Sequence, residues 1–277
     1  MNNNIKDELW GIFVIYKKEL FNTLKSIRLI LLMIFFSLII AGTVYGGISL
    51  MGVANNNPNI EFSEIILNQG PVFILSMTSG IVGIFGSLFA LILSFDTIIR
   101  EKVQNSINLL LCRPIGKRSI ALGKFLGNTS ALALPVIVVN TIAIIAISLY
   151  SEKGIEFTEA FGFILYTIIF LAIFCAIGQL LSSLLKTTVT AILSGIFIWL
   201  FFIMGIGIIS YFLSDISTQI SLLNPLTSYS ICISDALGLL NPSDTDIIPL
   251  WGYYLTFVIW LIAPLILSIE IFNKVEN

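Results

Sequence analysis

Apolar residues in this chain come in long unbroken runs. Uncharged stretches cover Leu29–Ile60, Ile65–Phe95, Phe125–Ser151, Ala160–Leu185, Thr187–Ser214 and Ile247–Ile269. A helix needs about 20 mostly apolar residues to cross the hydrocarbon of a bilayer, and every run is long enough. None alternates at the short length of a barrel strand, so the spans are expected to be helices. The pattern predicts an all-α membrane protein: a single transmembrane domain over 1–277, with spans at about 29–52, 72–95, 125–150, 161–183, 189–213 and 250–271. The first run far exceeds the roughly 7–15 apolar residues of a signal peptide and follows a long polar start, so it is expected to be a retained span.

Three segments between the runs have patterns of their own. Over 8–28, Leu9, Phe13, Tyr16, Leu20, Leu24 and Ile27 recur at three- and four-residue spacing, with Lys18, Asn22 and Lys25 on the other side. This predicts an amphipathic helix lying in the membrane interface, with Trp10 and Tyr16 at headgroup level; the alternative is a helical extension of the first span. Between spans two and three, Ile99, Val103, Ile107 and Leu110 form a helical stripe that Pro114 ends, and Ser119 is placed to cap the next helix. Ile216–Ser234 is uncharged but rich in Ser and Thr and contains Asn224-Pro225. It is expected to form a re-entrant or interfacial hairpin before span six, not a seventh span.

Composition sharpens the picture. The chain is 57% hydrophobic and 11% charged, with mean hydropathy +1.01, against about 25% charged in soluble domains. Net charge is −2, so no overall field points to nucleic acid. The placement of the charges is what informs. With six spans and the N-terminus inside, thirteen of the fourteen Lys and Arg residues fall on one side, leaving Lys153 alone on the other. The positive-inside rule then makes both termini and the basic loop cytoplasmic, in a multi-pass protein of the cell membrane.

The candidate chemistry is narrow. There is no histidine, and Cys112, Cys175 and Cys232 are far apart with no CxxC pair, which excludes His-based triads and His-ligated metals. Neither GxxxxGK[ST] nor GxSxG occurs, so the chain does not bind ATP through a P-loop and has no nucleophile elbow. The spans carry no internal charge; Asp96 and Glu270 lie at their ends, which counts against a proton-driven carrier. Asn140 and Gln179 are expected to hydrogen-bond between helices, Pro135 to kink its helix, and Gly195, Gly205 and Gly207 to allow close helix contact.

Six of the fourteen basic residues cluster in the loop between spans two and three. The run REKVQNSINLLLCRPIGKRSIALGKFLG resembles the cytoplasmic loop of type-2 ATP-binding-cassette (ABC) transporter permeases. The likeness rests on Arg100, Glu101, Leu109, Leu110, Leu111, Pro114, Arg118, Leu122, Gly123 and Lys124; it departs at Lys102 and at Asn105-Ser106. KKELFNTLKSIRLILL, AIGQLLSSLLKTTVTA and LLNPLTSY are similar to the family's entry to span one, its turn between spans four and five, and its outer stretch before span six.

The resemblance implies a non-catalytic permease subunit, an exporter, with the loop helix acting as a coupling helix seated on a separate ATP-binding cassette subunit. The contacts would be Arg100, Glu101, Ser106, Leu109, Leu110, Leu111, Arg113, Pro114, Arg118 and Lys124. No cofactor is expected in this chain, because ATP and Mg would belong to the partner. A second permease copy, as a homodimer, and membrane lipid complete the implied partners. The alternatives are a stand-alone secondary carrier and a non-transporting anchor or sensor.

Overall fold

Inside a bilayer the backbone must bond to itself, and every element among the described residues is helical. The structure, a computed structural model, describes residues 2–56, 61–95, 97–99, 116–151, 154–213, 216–240 and 248–274. Among the described residues six helices are long and apolar enough to cross a membrane. In chain order, α1 (Asn2–Leu24) precedes the first of these, α2 (Ile27–Asn56), and the short α3 (Glu61–Gln69) follows. The second, α4, runs from Pro71–Ile81 through a π turn at Val82–Gly86 into Ser87–Ser94. Next come α5 (Lys117–Tyr150), which continues through Pro135, and α6 (Phe157–Leu184). The fifth, α7, runs from Thr188–Leu200 through a π turn at Phe201–Gly205 into Ile206–Phe212. The short α8 (Ser217–Leu222) and α9 (Pro225–Ala236) lead to the sixth, α10 (Leu250–Lys274).

Helix ends are set by local chemistry. Ser26 separates α1 from α2: its hydroxyl donates to Thr23 O (2.7 Å) and accepts from Leu29 N (3.3 Å). Thus α1 is a separate helix and not an extension of the first span. Glu156 and Glu159 form a reciprocal capping box at the start of α6. Thr187 caps α7, and Asn224 caps α9 with Pro225 in its first turn. The expected cap at Ser119 is not made. Gly116 holds the cap position of α5 in extended conformation, its carbonyl bonding Ile120 N, and Ser119 is buried within the first turn.

The core is built on α4 and α6, whose most apolar windows are 65% and 56% buried against 17% for α7. Here α6 packs against α4, α5, α9 and α10. The close approach depends on small residues: a Cβ on Gly178 would lie 2.5 Å from Ser94 Cβ, and one on Gly195 would fall inside the Phe95 ring. Gly195 therefore meets the expectation of close helix contact. Gly207 does not, having open space around it, and Gly205 faces Phe201 of its own helix.

A π turn misaligns carbonyls that an α-helix would satisfy, and side chains from other helices bond them. Trp199 Nε1 donates to Ile84 O (3.0 Å), and Asn224 Nδ2 donates to Phe202 O (2.9 Å). The second bond holds the start of α9 against α7. Tyr229 then stacks on Phe170 with centroids 4.2 Å apart and hydrogen-bonds Thr167 (3.0 Å). So Ile216–Ser234 folds as two short helices, α8 packed mainly on the end of α7 and α9 mainly on α6 and α10. Burial raises the Tyr229 hydroxyl pKa well above the usual phenol range, against a smaller lowering by Thr167.

Gln179 hydrogen-bonds across to α5 as expected. Asn140 departs from expectation. It is fully buried in α5, yet neither its amide nitrogen nor its oxygen has a partner among the described residues.

Candidate functional site at the root of the basic loop

Residues 100–115, the centre of the basic loop, lie outside the described residues, so Arg100, Glu101, Ser106, Leu109, Leu110, Leu111, Arg113 and Pro114 do too, as does the loop's expected helix. The two roots of the loop, 97–99 and 116–124, are described, and both enter one buried polar cluster.

Lys124 is at its centre. Its position in the second turn of α5 turns the side chain inward, where it is 3% exposed. Its ammonium donates to Thr97 O (2.5 Å) and lies 3.9 Å from Glu19 Oε1 of α1. The Thr97 hydroxyl donates to Ser94 O (2.6 Å) and accepts from Asn128 Nδ2 (2.9 Å). Asn128 in turn accepts from the Thr23 hydroxyl of α1 (2.8 Å). From the other side, Ser182 Oγ of α6 accepts both Ile98 N (2.9 Å) and Ile99 N (3.0 Å), and Gln179 Nε2 donates to Ala121 O (3.1 Å). Buried backbone groups at a break in a helix need such partners, because leaving one unmade costs about 1–3 kcal/mol. Beneath the polar cluster, Ile15, Ile98, Ile120 and Phe272 form a small apolar cluster joining α1, both loop roots and α10.

Close contact between α1 and α5 makes this possible. A Cβ on Gly123 would lie 2.9 Å from Ile15 Cβ and 3.0 Å from Ile12 O; one on Gly127 would lie 2.7 Å from Glu19 Cβ and 3.1 Å from Tyr16 O. Gly123 and Gly127 are one helical turn apart, and Lys124 and Asn128 follow them on the same side. The face of α1 turned to α5 centres on Gly11 and Ile15, with Ile12, Tyr16, Glu19 and Leu20 half-buried, while Leu9 and Phe13 are exposed. The apolar stripe expected in one piece is therefore divided between two faces.

Of the expected partner-binding residues within the described part, Lys124 and Arg118 differ sharply. Lys124 faces inward and binds the roots together. Arg118 is largely exposed, with a loose 3.9 Å pairing to Glu270 of α10. The cluster also uses Glu19, Thr23, Thr97, Asn128 and Ser182, which sequence reasoning did not single out. The available signal was the pair of Gly-polar steps, Gly123-Lys124 and Gly127-Asn128, at four-residue spacing, the small-xxx-small pattern of close helix contact.

Six span-length helices among the described residues fit a multi-pass membrane protein, with a basic loop clamped at both roots. The family profile of ABC-2 family transporter proteins matches residues 13–276, and the chain belongs to that family. It is similar to the probable ABC transporter permease protein NosY of Stutzerimonas stutzeri, at 25% identity over 97% of this chain and 99% of that protein. It is also similar to the protein of the same name from Pseudomonas aeruginosa, at 28% identity over 70% of this chain and 67% of that protein. The chain is a membrane permease subunit of an ABC transporter.

Proposed function

We propose that this permease couples its movement to ATP hydrolysed by a separate subunit, through the basic loop, and that it works as an exporter. The helix expected between spans two and three, ended by Pro114, acts as the coupling helix, with Leu109, Leu110 and Leu111 seated in the ATPase and Arg100, Glu101, Ser106, Arg113, Pro114 and Arg118 around them. Lys124 has a different part in this reading: it holds the roots of the helix and does not touch the partner. Both termini and the loop are cytoplasmic, since thirteen of fourteen basic residues then lie inside. A second copy of the chain completes the substrate path, and α8 with α9 forms the re-entrant hairpin on the outer side.

The observation that carries the reading is the clamping of both loop roots into one buried cluster with α1 and α6. A push on a loop so held is transmitted to α4 and α5 together; a loosely tethered loop would absorb it. ATP-driven closure of the partner subunits then rocks these two spans as a unit.

The test is co-purification of the tagged protein in mild detergent, followed by mass spectrometry and an ATPase assay. A stoichiometric subunit with a P-loop and ATPase activity is expected, and Leu110→Asp or Leu111→Asp releases it while the permease stays folded. Retention of the ATPase by both variants would refute the docking role. ATP-driven release of cargo from inverted vesicles into the medium would contradict export.

A further inference from the structure

The face of α1 turned away from α5 has no neighbour among the described residues, and its composition is unusual for an exposed surface. Trp10, Phe13 and Phe21 are 66%, 59% and 50% exposed, and with Val14, Lys17 and Lys18 they line a groove of about 450 Å³. Phe13, Lys17 and Phe21 are successive members of one i, i+4 row, so a cation stands in the middle of an aromatic stripe. Neither Lys17 nor Lys18 is in an ion pair among the described residues; Glu19, the acidic neighbour in sequence, points to Lys124 on the other face.

We propose that this groove binds the phosphate headgroup of an anionic membrane lipid, with Lys17 and Lys18 on the phosphate, Trp10 at headgroup depth, and Phe13 and Phe21 against the acyl chains. The position in the fold supports a lipid over a protein. One short turn after α1, the exposed apolar belt of α2 begins at Ile27 (72% exposed) and continues through Ile30, Leu31 and Ile34, so the groove sits where the hydrocarbon layer starts. Lysine stems reach from such a depth to phosphate while their apolar part stays in lipid. The proposal deepens the permease reading by naming what holds the outer side of the helix that carries Glu19. Its test needs no ATPase, and nanodiscs expose both leaflets, so it stands or falls separately from the coupling role and from sidedness.

The experiment is fluorescence quenching in nanodiscs containing brominated phosphatidylglycerol or brominated phosphatidylcholine, with Trp10→Phe subtracted to isolate Trp10 from the other three tryptophans. Two lysines near an anionic surface correspond to about a 30-fold preference. Stronger quenching of Trp10 by the phosphatidylglycerol, with the preference reduced at least about tenfold in Lys17→Gln/Lys18→Gln, is expected. Both lysines are exposed, so the double variant should keep the wild-type melting temperature. Equal quenching by the two lipids, unchanged in the variant, would show an apolar face without headgroup recognition and overturn the proposal. No quenching by either would show the face covered by protein, a second copy or a partner, and would equally overturn it.

Discussion

Lys124→Met keeps the length of the side chain and removes its charge, and the structure sets the expected cost. An ion pair at 3.9 Å has a Coulomb energy of about 4 kcal/mol at an effective dielectric near 20, but burying the lysine offsets most of that gain. The net loss comes from what the substitution strands. Thr97 O loses a hydrogen bond from a charged donor, typically about 1.5–3 kcal/mol. Glu19, whose side chain is 18% exposed, is left without its cation in a partly desolvated site and adds about 1 kcal/mol after screening. Lys124→Met should therefore destabilise the protein by about 2–4 kcal/mol.

The measurement is equilibrium unfolding in mixed micelles, followed by far-UV helicity, on Lys124→Met, Glu19→Met and the double variant. If the two side chains form a coupled buried pair, replacing both with apolar groups costs less than the sum of the single losses, by about 1–2 kcal/mol. In the assembled transporter, Lys124→Met should keep the ATPase bound yet weaken the dependence of transport on ATP. A Lys124→Met protein as stable as wild type, or strictly additive single losses, would refute the cluster as a tie between α1 and the loop.

Three further outcomes follow from other sites. Gly127→Ala brings a Cβ to 3.1 Å from Tyr16 O and 2.7 Å from Glu19 Cβ; it should destabilise by about 1–3 kcal/mol, whereas Gly42→Ala, in open space within α2, should be neutral or stabilising by unfolding in the same micelles. Burial, with a smaller contribution from the Asp235 carboxylate, pushes the Cys232 thiol from 9.0 up to about 12. Maleimide at pH 8 should therefore leave Cys232 unlabelled in the folded protein, as read by peptide mass spectrometry. Because the folded value is the raised one, the thiol's contribution to stability is complete below about pH 9 and is lost as pH climbs toward about 12. Asn140→Leu replaces a fully buried, unpartnered amide with an apolar group of the same branching, and should raise stability by about 1–3 kcal/mol; a loss would show that the amide has a bound water or a partner in another state.

The six spans were legible because a membrane helix is specified by length and apolarity alone, and both can be read directly along the chain. The loop root was not, because its polar contacts come from residues up to 105 positions apart, as with Thr23 and Asn128. Thr23, Thr97 and Ser182 are small polar residues of the kind found anywhere near a helix end, and only their juxtaposition distinguishes them. Periodicity placed α1 as a helix but assigned it one apolar side, because a hydrophobic stripe does not say whether protein or lipid covers it. In the structure the small residues decide: Gly123 and Gly127 admit the backbone of α1 at Ile12 and Tyr16, which fixes Ile15 and Glu19 inward and leaves Trp10, Phe13 and Phe21 outward.

The same contact explains why a charged residue is tolerated so deep in an apolar chain. Lys124 is the cation at the centre of the cluster, and it joins α1 through Glu19, the last residues before the loop through Thr97, and α5 through its own backbone. A hydrophobic residue at 124 could fill the space but would leave the Thr97 carbonyl without its bond, and of the bonds between the two loop roots among the described residues there would remain the Asn128–Thr97 hydrogen bond and the apolar contact among Ile15, Ile98, Ile120 and Phe272. Apolar packing is non-directional and permits sliding of one root past the other. A lysine bonded to a backbone carbonyl on one side and a carboxylate on the other does not, and that resistance to sliding is what a loop needs if force applied to its middle is to turn two membrane helices together.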